Sequence, residues 1–335
     1  MLNDKVILVT GGTGSFGKKF TQIALEKYRP KKIIIFSRDE FKQFQMSKKF
    51  PTGKYPVRYF IGDIRNRERL FRAFEGVDYV VHAAALKQVP ACEYNPFEAI
   101  RTNILGAQNI VEASLDRGVK KVIALSTDKA VSPVNLYGAS KLAMEKLIVA
   151  ANSYVGGRDN VFGVVRYGNV VGSRGSVIPL YLRLAAEGAG ELPVTDERMT
   201  RFWITLEQGV ELVITALEES VGGEIFVPRI PSMKITDLAR AICPDCGIRV
   251  IGIRPGEKIH ESLISEDEGR NVVLLERNGR KIYVILPQYH FETRNSEKYK
   301  NVDKMPESFS YRSDTNDLWL NVDSLKEQIR DVQPE

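Results

Sequence analysis

The sequence is poor in cysteine and histidine, and it contains no long hydrophobic run. Its 335 residues include three cysteines and three histidines. So few cysteines do not make a disulfide framework, so we expect a reducing compartment. No apolar stretch approaches the roughly 20 residues that cross a bilayer, and the chain starts on an apolar strand pattern instead of a signal sequence. These absences predict a cytoplasmic protein with no membrane partner.

Two of the cysteines, Cys243 and Cys246, are separated by two residues, a spacing seen in zinc sites and redox pairs. A zinc site needs two further ligands, and a redox pair needs a thioredoxin-like context. The sequence offers neither, and His260 is the nearest histidine. We therefore predict no metal site and interpret the pair as two incidental thiols in a loop.

The charge balance is mildly basic, with 48 lysines and arginines against 42 acidic residues and a net charge of +6. A positive balance favours an anionic ligand, and nucleic acid must be considered. The basic residues are spread along the chain, however, without a basic block or a nucleic-acid motif. A small molecule that carries a diphosphate suffices, and we expect no nucleic-acid partner.

The first half of the chain alternates strand and helix patterns. Apolar strand patterns occur at 5–10, 31–37, 57–62, 78–84, 120–126 and 161–166, and helical patterns at 16–28, 66–74, 96–117 and 136–154. Continuous apolar strands between helices indicate a parallel sheet covered on both faces. We therefore predict an α/β fold with a doubly wound (Rossmann) sheet, whose ligands bind beyond the carboxyl ends of the strands.

The second half is less regular and predicts a smaller domain. Helical patterns occur at 178–187, 206–218 and 322–329, and Asn278-Gly279 between two apolar runs predicts a hairpin near 272–286. We assign 1–168 to a dinucleotide-binding domain, to which later segments return. Residues 169–335 are assigned mainly to a C-terminal substrate-binding domain.

A glycine-rich turn follows the first strand pattern. Gly11, Gly14 and Gly17 lie between an apolar strand and a helical pattern. Glycine there permits a tight backbone and lets a pyrophosphate approach the main-chain amides. Glycines alone would also suit a flexible loop, but this position favours a dinucleotide site.

Tyr137 and Lys141 stand four residues apart in a helical pattern, just after the cluster Ser126-Thr127-Asp128-Lys129. Positions i and i+4 lie on one helix face, so the Lys141 ammonium is expected to favour the Tyr137 phenolate. A phenol with an ordinary pKa of about 10 needs such help to act as a base near neutrality. A solvated amphipathic helix is the alternative interpretation of this spacing.

The end of the second strand pattern bears on the cofactor. An acidic residue there binds the ribose hydroxyls of NAD, whereas an arginine accommodates the extra phosphate of NADP. Arg38, with Ser37 and Lys42, therefore predicts NADP. The alternative is a basic surface turn in which Asp39 caps a helix.

Three motifs together resemble the extended short-chain dehydrogenase/reductases, which act mostly on nucleotide sugars. They are the glycine turn, Tyr137 with Lys141, and the run 166–172. Thr127-Asp128-Lys129 stands where the sugar nucleotide 4,6-dehydratases have Thr-Asp-Glu. Together with the runs 132–141 and 254–258, Lys129 in place of the glutamate makes the chain resemble the inverting UDP-N-acetylglucosamine 4,6-dehydratases. These enzymes begin pseudaminic acid synthesis for flagellin glycosylation.

The resemblance implies a tightly bound, recycled NADP, UDP-N-acetylglucosamine as substrate and a homo-oligomer. Residues implied to bind the cofactor are Gly11, Thr13, Gly14, Ser15, Phe16, Gly17, Ser37, Arg38, Asp39, Glu40, Phe41, Lys42, Asp63, Ile64, Ala83, Lys87, Thr102, Tyr137 and Lys141. Those implied to bind the UDP-sugar are Lys87, Asn169, Val170, Val171, Gly172, Ser173, Arg174, Gly175, Ser176, Val177, Ile178, Pro179, Tyr181, Met199, Arg201, Arg254 and Glu257. The two arginines also suit a diphosphate because a guanidinium fork matches phosphate oxygens.

The resemblance also implies a catalytic set: Thr127, Asp128, Lys129, Tyr137 and Lys141. Tyr137 is expected to take the C4 hydroxyl proton during oxidation at C4. Lys129, partly neutral through desolvation, is expected to take the C5 proton while Asp128 protonates the departing C6 hydroxyl. The alternatives are a UDP-sugar C4 epimerase, a C5-retaining 4,6-dehydratase, and a non-catalytic NADP-sensing protein.

Overall fold

The protein is described by a computed structural model that covers residues 1–172, 177–288 and 297–330. The strands are β1 (Val6–Thr10), β2 (Lys32–Ser37), β3 (Val57–Ile61), β4 (Tyr79–His82), β5 (Lys121–Thr127), β6 (Val161–Tyr167), β7 (Asn169–Val170), β8 (Glu191–Val194), β9 (Thr200–Ile204), β10 (Ile225–Pro228), β11 (Ser232–Lys234), β12 (Gly247–Val250), β13 (Ser262–Ile264), β14 (Val272–Arg277), β15 (Arg280–Ile285) and β16 (Tyr311–Arg312). The helices are α1 (Ser15–Lys27), α2 (Glu40–Lys49), α3 (Arg67–Ala73), α4 (Val89–Tyr94), α5 (Pro96–Ile100), α6 (Gly106–Asp116), α7 (Leu136–Ala150), α8 (Val177–Ala186), α9 (Leu206–Glu219), α10 (Ile235–Ile242), α11 (Glu266–Gly269) and α12 (Val322–Ile329).

Within these ranges, one large sheet has the strand order β14-β15-β10-β6-β5-β4-β1-β2-β3. The seven strands from β10 to β3 run parallel. β15 pairs antiparallel with β10, and β14 pairs antiparallel with β15. Every residue of β1 and β4 is buried, as expected when helices cover both faces of a parallel sheet. The predicted doubly wound α/β fold is confirmed.

The hairpin of β14 and β15 extends this large sheet. Its turn residues Asn278 and Gly279 have positive φ angles of 52° and 70°, which is why Asn-Gly suits a two-residue turn. β15 pairs with β10, and β10 with β6. The hairpin thus joins the large sheet from the C-terminal part of the chain.

Two helical details differ from the sequence patterns. No helix was predicted at α2, yet Asp39 caps it by accepting a hydrogen bond from the Lys42 amide at 2.9 Å. The single helix expected over 96–117 is instead α5, a π-helical turn at Arg101–Leu105, and α6. Pro96 begins α5, because proline is tolerated in a first helical turn.

A second, smaller apolar core lies apart from the core of the large sheet. It is built largely from α8, α10 and α12, with residues of β8, β9 and β11. In this region β7, β9 and β11 form a three-stranded sheet, and β8 pairs with β12. β7 directly follows β6, so the chain first leaves the large sheet for this region at the end of β6.

The cysteines require one correction. Cys243 and Cys246 form a disulfide, with Cα atoms 5.3 Å apart, so their interpretation as incidental thiols is wrong. The residue spacing brings the two side chains together at the turn between α10 and β12. Cys92 is a buried free thiol. In the described ranges, each helix is too short or too polar to cross a membrane.

Candidate active site

A cavity of about 780 Å³ lies at the carboxyl ends of the parallel strands. Its wall includes Gly11 after β1, Asp63 after β3, Ala83 after β4 and Thr127 at the end of β5. Residues of the second core close the other side, Met199 among them. Doubly wound sheets bind ligands at this edge, so topology alone marks the cavity as the candidate site.

The glycine turn is shaped for close approach. Gly11 has a φ of 63°, and a Cβ there would lie 2.9 Å from the Ala84 backbone. A Cβ on Gly17 would lie 2.3 Å from the Gly12 carbonyl oxygen, so α1 packs directly on the turn. The N-cap of α1 is Gly14, which offers no side-chain acceptor. The first-turn amides of α1 therefore suit an anion such as a pyrophosphate.

The end of β2 combines both sequence interpretations. Ser37, Arg38 and Lys42 line the cavity, while the Asp39 carboxylate caps α2 and pairs with the Lys42 ammonium at 2.9 Å. The Arg38 guanidinium lies 3.7 Å from the Asp63 carboxylate. Burial opposes ionisation of Asp63, but its arginine neighbours lower its pKa overall. Paired charges at this end of the cavity therefore hold the Arg38 guanidinium at the wall.

Tyr137 and Lys141 both line the cavity from α7, which Asn135 caps through the Gly138 amide. The Lys141 ammonium donates to the Leu125 carbonyl at 2.6 Å, and burial lowers its pKa to about 8. Burial raises the pKa of Tyr137 to about 12, although Lys129 and Thr127 act in the opposite direction. The Lys141 ammonium thus contacts the β5 backbone, and its expected effect on the Tyr137 phenol stays a prediction.

A cluster of charges surrounds Lys129. Its ammonium lies 3.1 Å from the Asp128 carboxylate and 3.4 Å from that of Glu261. The Arg201 guanidinium approaches Glu261 at 3.9 Å. Burial acts against the charged amine, yet the two carboxylates outweigh it and raise the pKa of Lys129. The expectation that desolvation makes Lys129 partly neutral is therefore wrong, because the carboxylates stabilise its ammonium form.

Buried oxygens without hydrogen-bond partners concentrate at this cavity. In the part of the chain that the structure describes, six such atoms belong to cavity-lining residues: Thr102 Oγ1, Ser126 Oγ, Asp128 Oδ2, Asn169 Oδ1, Glu257 Oε2 and Glu261 Oε2. An unsatisfied buried polar group costs about 1–3 kcal/mol, so native proteins keep few of them. Their concentration indicates a site for a polar ligand that supplies hydrogen bonds.

Most residues expected at the site line this cavity. From the cofactor set these are Gly11, Thr13, Gly14, Ser15, Phe16, Ser37, Arg38, Asp39, Lys42, Asp63, Ile64, Ala83, Lys87, Thr102, Tyr137 and Lys141, and from the catalytic set also Thr127, Asp128 and Lys129. From the substrate set they are Lys87, Asn169, Val170, Val177, Tyr181, Met199, Arg201, Arg254 and Glu257.

Several expected residues do not line the cavity. These are Gly17, Glu40, Phe41, Val171, Gly172, Ile178 and Pro179, while Ser173, Arg174, Gly175 and Ser176 lie outside the described residues. Gly17 packs against the turn, and the Phe41 side chain is exposed on α2. Ile178 is buried in the second core, so it supports the wall without reaching the cavity.

The polar wall residues that were missing from the expected set include Ser126, Lys258 and Glu261. Ser126 directly precedes Thr127, the last residue of β5, and Lys258 is the last residue of the run 254–258, so the expected neighbours of both pointed to them. Glu261 precedes a short strand by one residue, and no sequence pattern indicated that its carboxylate reaches Lys129.

The glycine turn beneath α1, the Tyr137–Lys141 helix and a cavity at the parallel strand ends define a Rossmann-type dinucleotide fold of the short-chain dehydrogenase/reductase kind. A family model described as "Polysaccharide biosynthesis protein" matches residues 7–283. The chain belongs to this family.

Individual relatives extend the comparison. The chain is 54% identical to a UDP-N-acetylglucosamine 4,6-dehydratase (inverting) of Campylobacter jejuni, with 99% of each chain covered. It is 47% identical to a UDP-glucose 4-epimerase of Rickettsia canadensis over 80% of each. Among solved structures, Pen from Bacillus thuringiensis superposes with a TM-score of 0.88 at 39% identity, covering 98% of both chains. The dTDP-glucose 4,6-dehydratase DesIV from Streptomyces venezuelae shares the fold, with a TM-score of 0.67 at 23% identity over 76% of this chain and 86% of that one.

Proposed function

We propose that the protein is an inverting UDP-N-acetylglucosamine 4,6-dehydratase. The reaction oxidises C4, eliminates water across C5 and C6, reduces C6 and inverts C5, giving UDP-2-acetamido-2,6-dideoxy-β-L-arabino-hex-4-ulose. The observation that carries the proposal is the Lys129 ammonium in the cavity wall, 3.1 Å from the Asp128 carboxylate. The Campylobacter jejuni relative that bears this name, 54% identical over 99% of its length, supports it.

A nicotinamide cofactor fits the wall residues. The uncapped first turn of α1 suits a pyrophosphate, and Thr102 Oγ1 and Ser126 Oγ are buried hydroxyl oxygens that need partners. Arg38 at the end of β2 favours NADP through its extra phosphate. A bound cofactor would supply the hydride acceptor for the oxidation at C4 and the hydride donor for the reduction at C6. The cycle has no net redox change, so we expect the cofactor to remain bound between turnovers.

Tyr137 is the base that we assign to the C4 hydroxyl. Because burial raises the pKa of its phenol to about 12, proton removal needs neighbouring groups that favour the phenolate. The Thr127 hydroxyl and the Lys129 ammonium act in that direction. Lys141, which donates to the Leu125 carbonyl, places a further cation at the cavity wall.

The pair of Asp128 and Lys129 supplies the acid and the base of the elimination. Transfer of one proton from the Lys129 ammonium to the Asp128 carboxylate produces a neutral amine and a carboxylic acid. The amine then takes the C5 proton, which the neighbouring C4 ketone has made acidic, and Asp128 protonates the departing C6 hydroxyl. Both groups end in the charge state in which they began, so the step balances without an external proton.

The two arginines proposed for the diphosphate differ in their surroundings. Arg201 is buried and donates to the backbone carbonyls of Thr200, Lys258 and Ile259 at 2.8 to 3.0 Å. Arg254 is exposed at the cavity wall near Tyr181. We therefore assign the diphosphate mainly to Arg254 and place Arg201 beside the reacting hexose.

The test is turnover of UDP-N-acetylglucosamine by purified protein with no added cofactor, followed by proton NMR in deuterated water. We expect loss of the C6 hydroxymethyl signals, a C6 methyl group, deuterium at C5 and ring couplings of the inverted centre. Lys129→Ala should abolish product formation and keep cofactor binding, whereas Lys146→Ala, an exposed lysine on α7, should match wild type. Native-rate dehydration by Lys129→Ala would refute the assigned role.

A UDP-sugar C4 epimerase is the second candidate, favoured by the relatives that are named UDP-glucose 4-epimerase at 46–47% identity. The same spectra decide between them, because an epimerase keeps its C6 hydroxyl and a C5-retaining dehydratase keeps its ring couplings. Absence of turnover with every UDP-sugar would instead favour a non-catalytic NADP-sensing protein.

A further inference from the structure

Glu261 is the one carboxylate at this cavity wall, among the described residues, that contacts Lys129 from a distant part of the chain. Its side chain is 3% exposed. Oε1 faces Lys129 and Arg201, and Oε2 is buried without a hydrogen-bond partner. A buried charge with an unused acceptor is costly, so its retention needs a compensating interaction.

The backbone around Glu261 is fixed on both sides. Its amide donates to the Ser313 hydroxyl at 2.9 Å, and its carbonyl accepts from the Ser313 amide at 2.8 Å. The next residue begins β13, which pairs with β16. The backbone that carries this carboxylate is therefore held by Ser313, and Lys129 itself lies in a short helical turn that follows β5.

Several other charged or titratable groups face Lys129. Asp128 contacts it from the same turn, Tyr137 faces it from α7, Arg201 from β9, and Lys258 from the loop before β13. The three cations of this group would repel one another without the two carboxylates. Asp128 has a role in the proposed elimination, whereas Glu261 has none so far.

We propose that Glu261 is a positioning residue, whose carboxylate holds the Lys129 ammonium in the cavity wall and keeps the shared proton on the Asp128–Lys129 pair. This inference rests on the proposed function. A pair that must supply both an acid and a base works only while it retains that proton. Removing the nearby negative charge makes the proton easier to lose, so activity should fall at a lower pH. An opposite charge within about 4 Å shifts a pKa by roughly 1–3 units.

The first experiment compares the pH profiles of kcat for wild type, Glu261→Gln and Glu261→Asp with UDP-N-acetylglucosamine. We expect the alkaline loss of kcat in Glu261→Gln to move down by about 1–3 pH units, and Glu261→Asp to restore most of the wild-type profile. Glu224→Gln, which removes another fully buried carboxylate that accepts from the Ser220 hydroxyl, should alter thermal stability without moving the profile. An unchanged profile in a folded Glu261→Gln variant would overturn the proposal.

The second experiment needs no turnover. Reductive methylation with formaldehyde and cyanoborohydride reports the neutral fraction of an amine, and Lys129 is 27% exposed, within reach of a small reagent. Peptide mass spectrometry should show Lys129 of Glu261→Gln reacting at a pH lower by about 1–3 units than in wild type. Equal pH dependence in both proteins would overturn the inference, even where the proposed dehydratase activity holds. A shifted dependence with no turnover would support Glu261 and refute the activity.

Discussion

A buried arginine, Arg166, pairs with two carboxylates and joins the large sheet to helices α7 and α11. Arg166 on β6 forms hydrogen bonds with Glu145 on α7 at 2.6 and 3.0 Å. It also bonds to Glu268 on α11 at 2.9 and 3.0 Å. Arg166 and Glu145 are each 1% exposed. Replacing Arg166 with methionine would leave Glu145 and Glu268 without their shared cation.

We expect Arg166→Met to lower the free energy of unfolding by about 3–5 kcal/mol, the usual cost of breaking a buried ion pair. For 335 residues that unfold together, this is a fall in Tm of about 4–7 °C, since unfolding entropy grows with chain length. As the matched control, Arg277→Met breaks a pair with Glu219 in which the arginine is half exposed, and it should cost much less than Arg166→Met. Urea unfolding at pH 7.5 measures the loss of unfolding free energy in both variants.

The same variant has a pH signature. Burial opposes ionisation of Glu268, but Arg166 and Ser265 lower its pKa below the ordinary value of 4.5. A lowered folded pKa gives stability that is fully present above 4.5 and is lost as the pH falls through the folded value. The difference between wild type and Arg166→Met should therefore shrink below about pH 4.5. A loss under about 1 kcal/mol, or one independent of pH, would refute the reasoning.

Two further predictions concern the site. Arg38→Ala should raise the Kd for NADP by about 10–150-fold, the effect of losing a charge-assisted contact, and leave the Kd for NAD nearly unchanged. Isothermal titration calorimetry measures both constants, and equal losses of affinity would contradict a phosphate contact. Gly138→Ala should lower kcat at least tenfold, because the new Cβ would lie 2.1 Å from the Lys129 carbonyl oxygen and displace that turn. Gly53→Ala, where a Cβ meets nothing within 4 Å, is the control, and equal kcat in both variants would show that the turn tolerates the shift.

The sequence predicted the large sheet well because its order follows from local patterns. Strands buried on both faces read as continuous apolar runs, and Val6–Thr10 is buried at every position. The carboxyl ends of such strands meet at one edge, so Thr127 and Asp63 could be placed at a common site before any contact was known. Helix α2 was missed because its exposed Phe41 and Phe44 blur the amphipathic pattern.

The electrostatics of the site could not be predicted in the same way. The spacing of Tyr137 and Lys141 places both on α7, but it does not show that the Lys141 ammonium is engaged by the Leu125 carbonyl. Lys129 and Glu261 are 132 residues apart in sequence, and only the folded chain brings them within 3.4 Å. A pKa depends on such long-range neighbours. The sequence therefore predicted the wrong direction for the pKa shift of Lys129, although the residue itself lies in the cavity wall as expected.

The charge pairing of Lys129 across the two halves of the molecule has a consequence for how such enzymes diverge. The amine follows β5 of the large sheet, and one of its counter-ions, Glu261, follows the run 254–258 that lines the cavity. Under the proposed function, remodelling that run for a different hexose would therefore also change the acid–base chemistry of Lys129. In this architecture, a change of substrate preference and a change of reaction outcome share the same few residues.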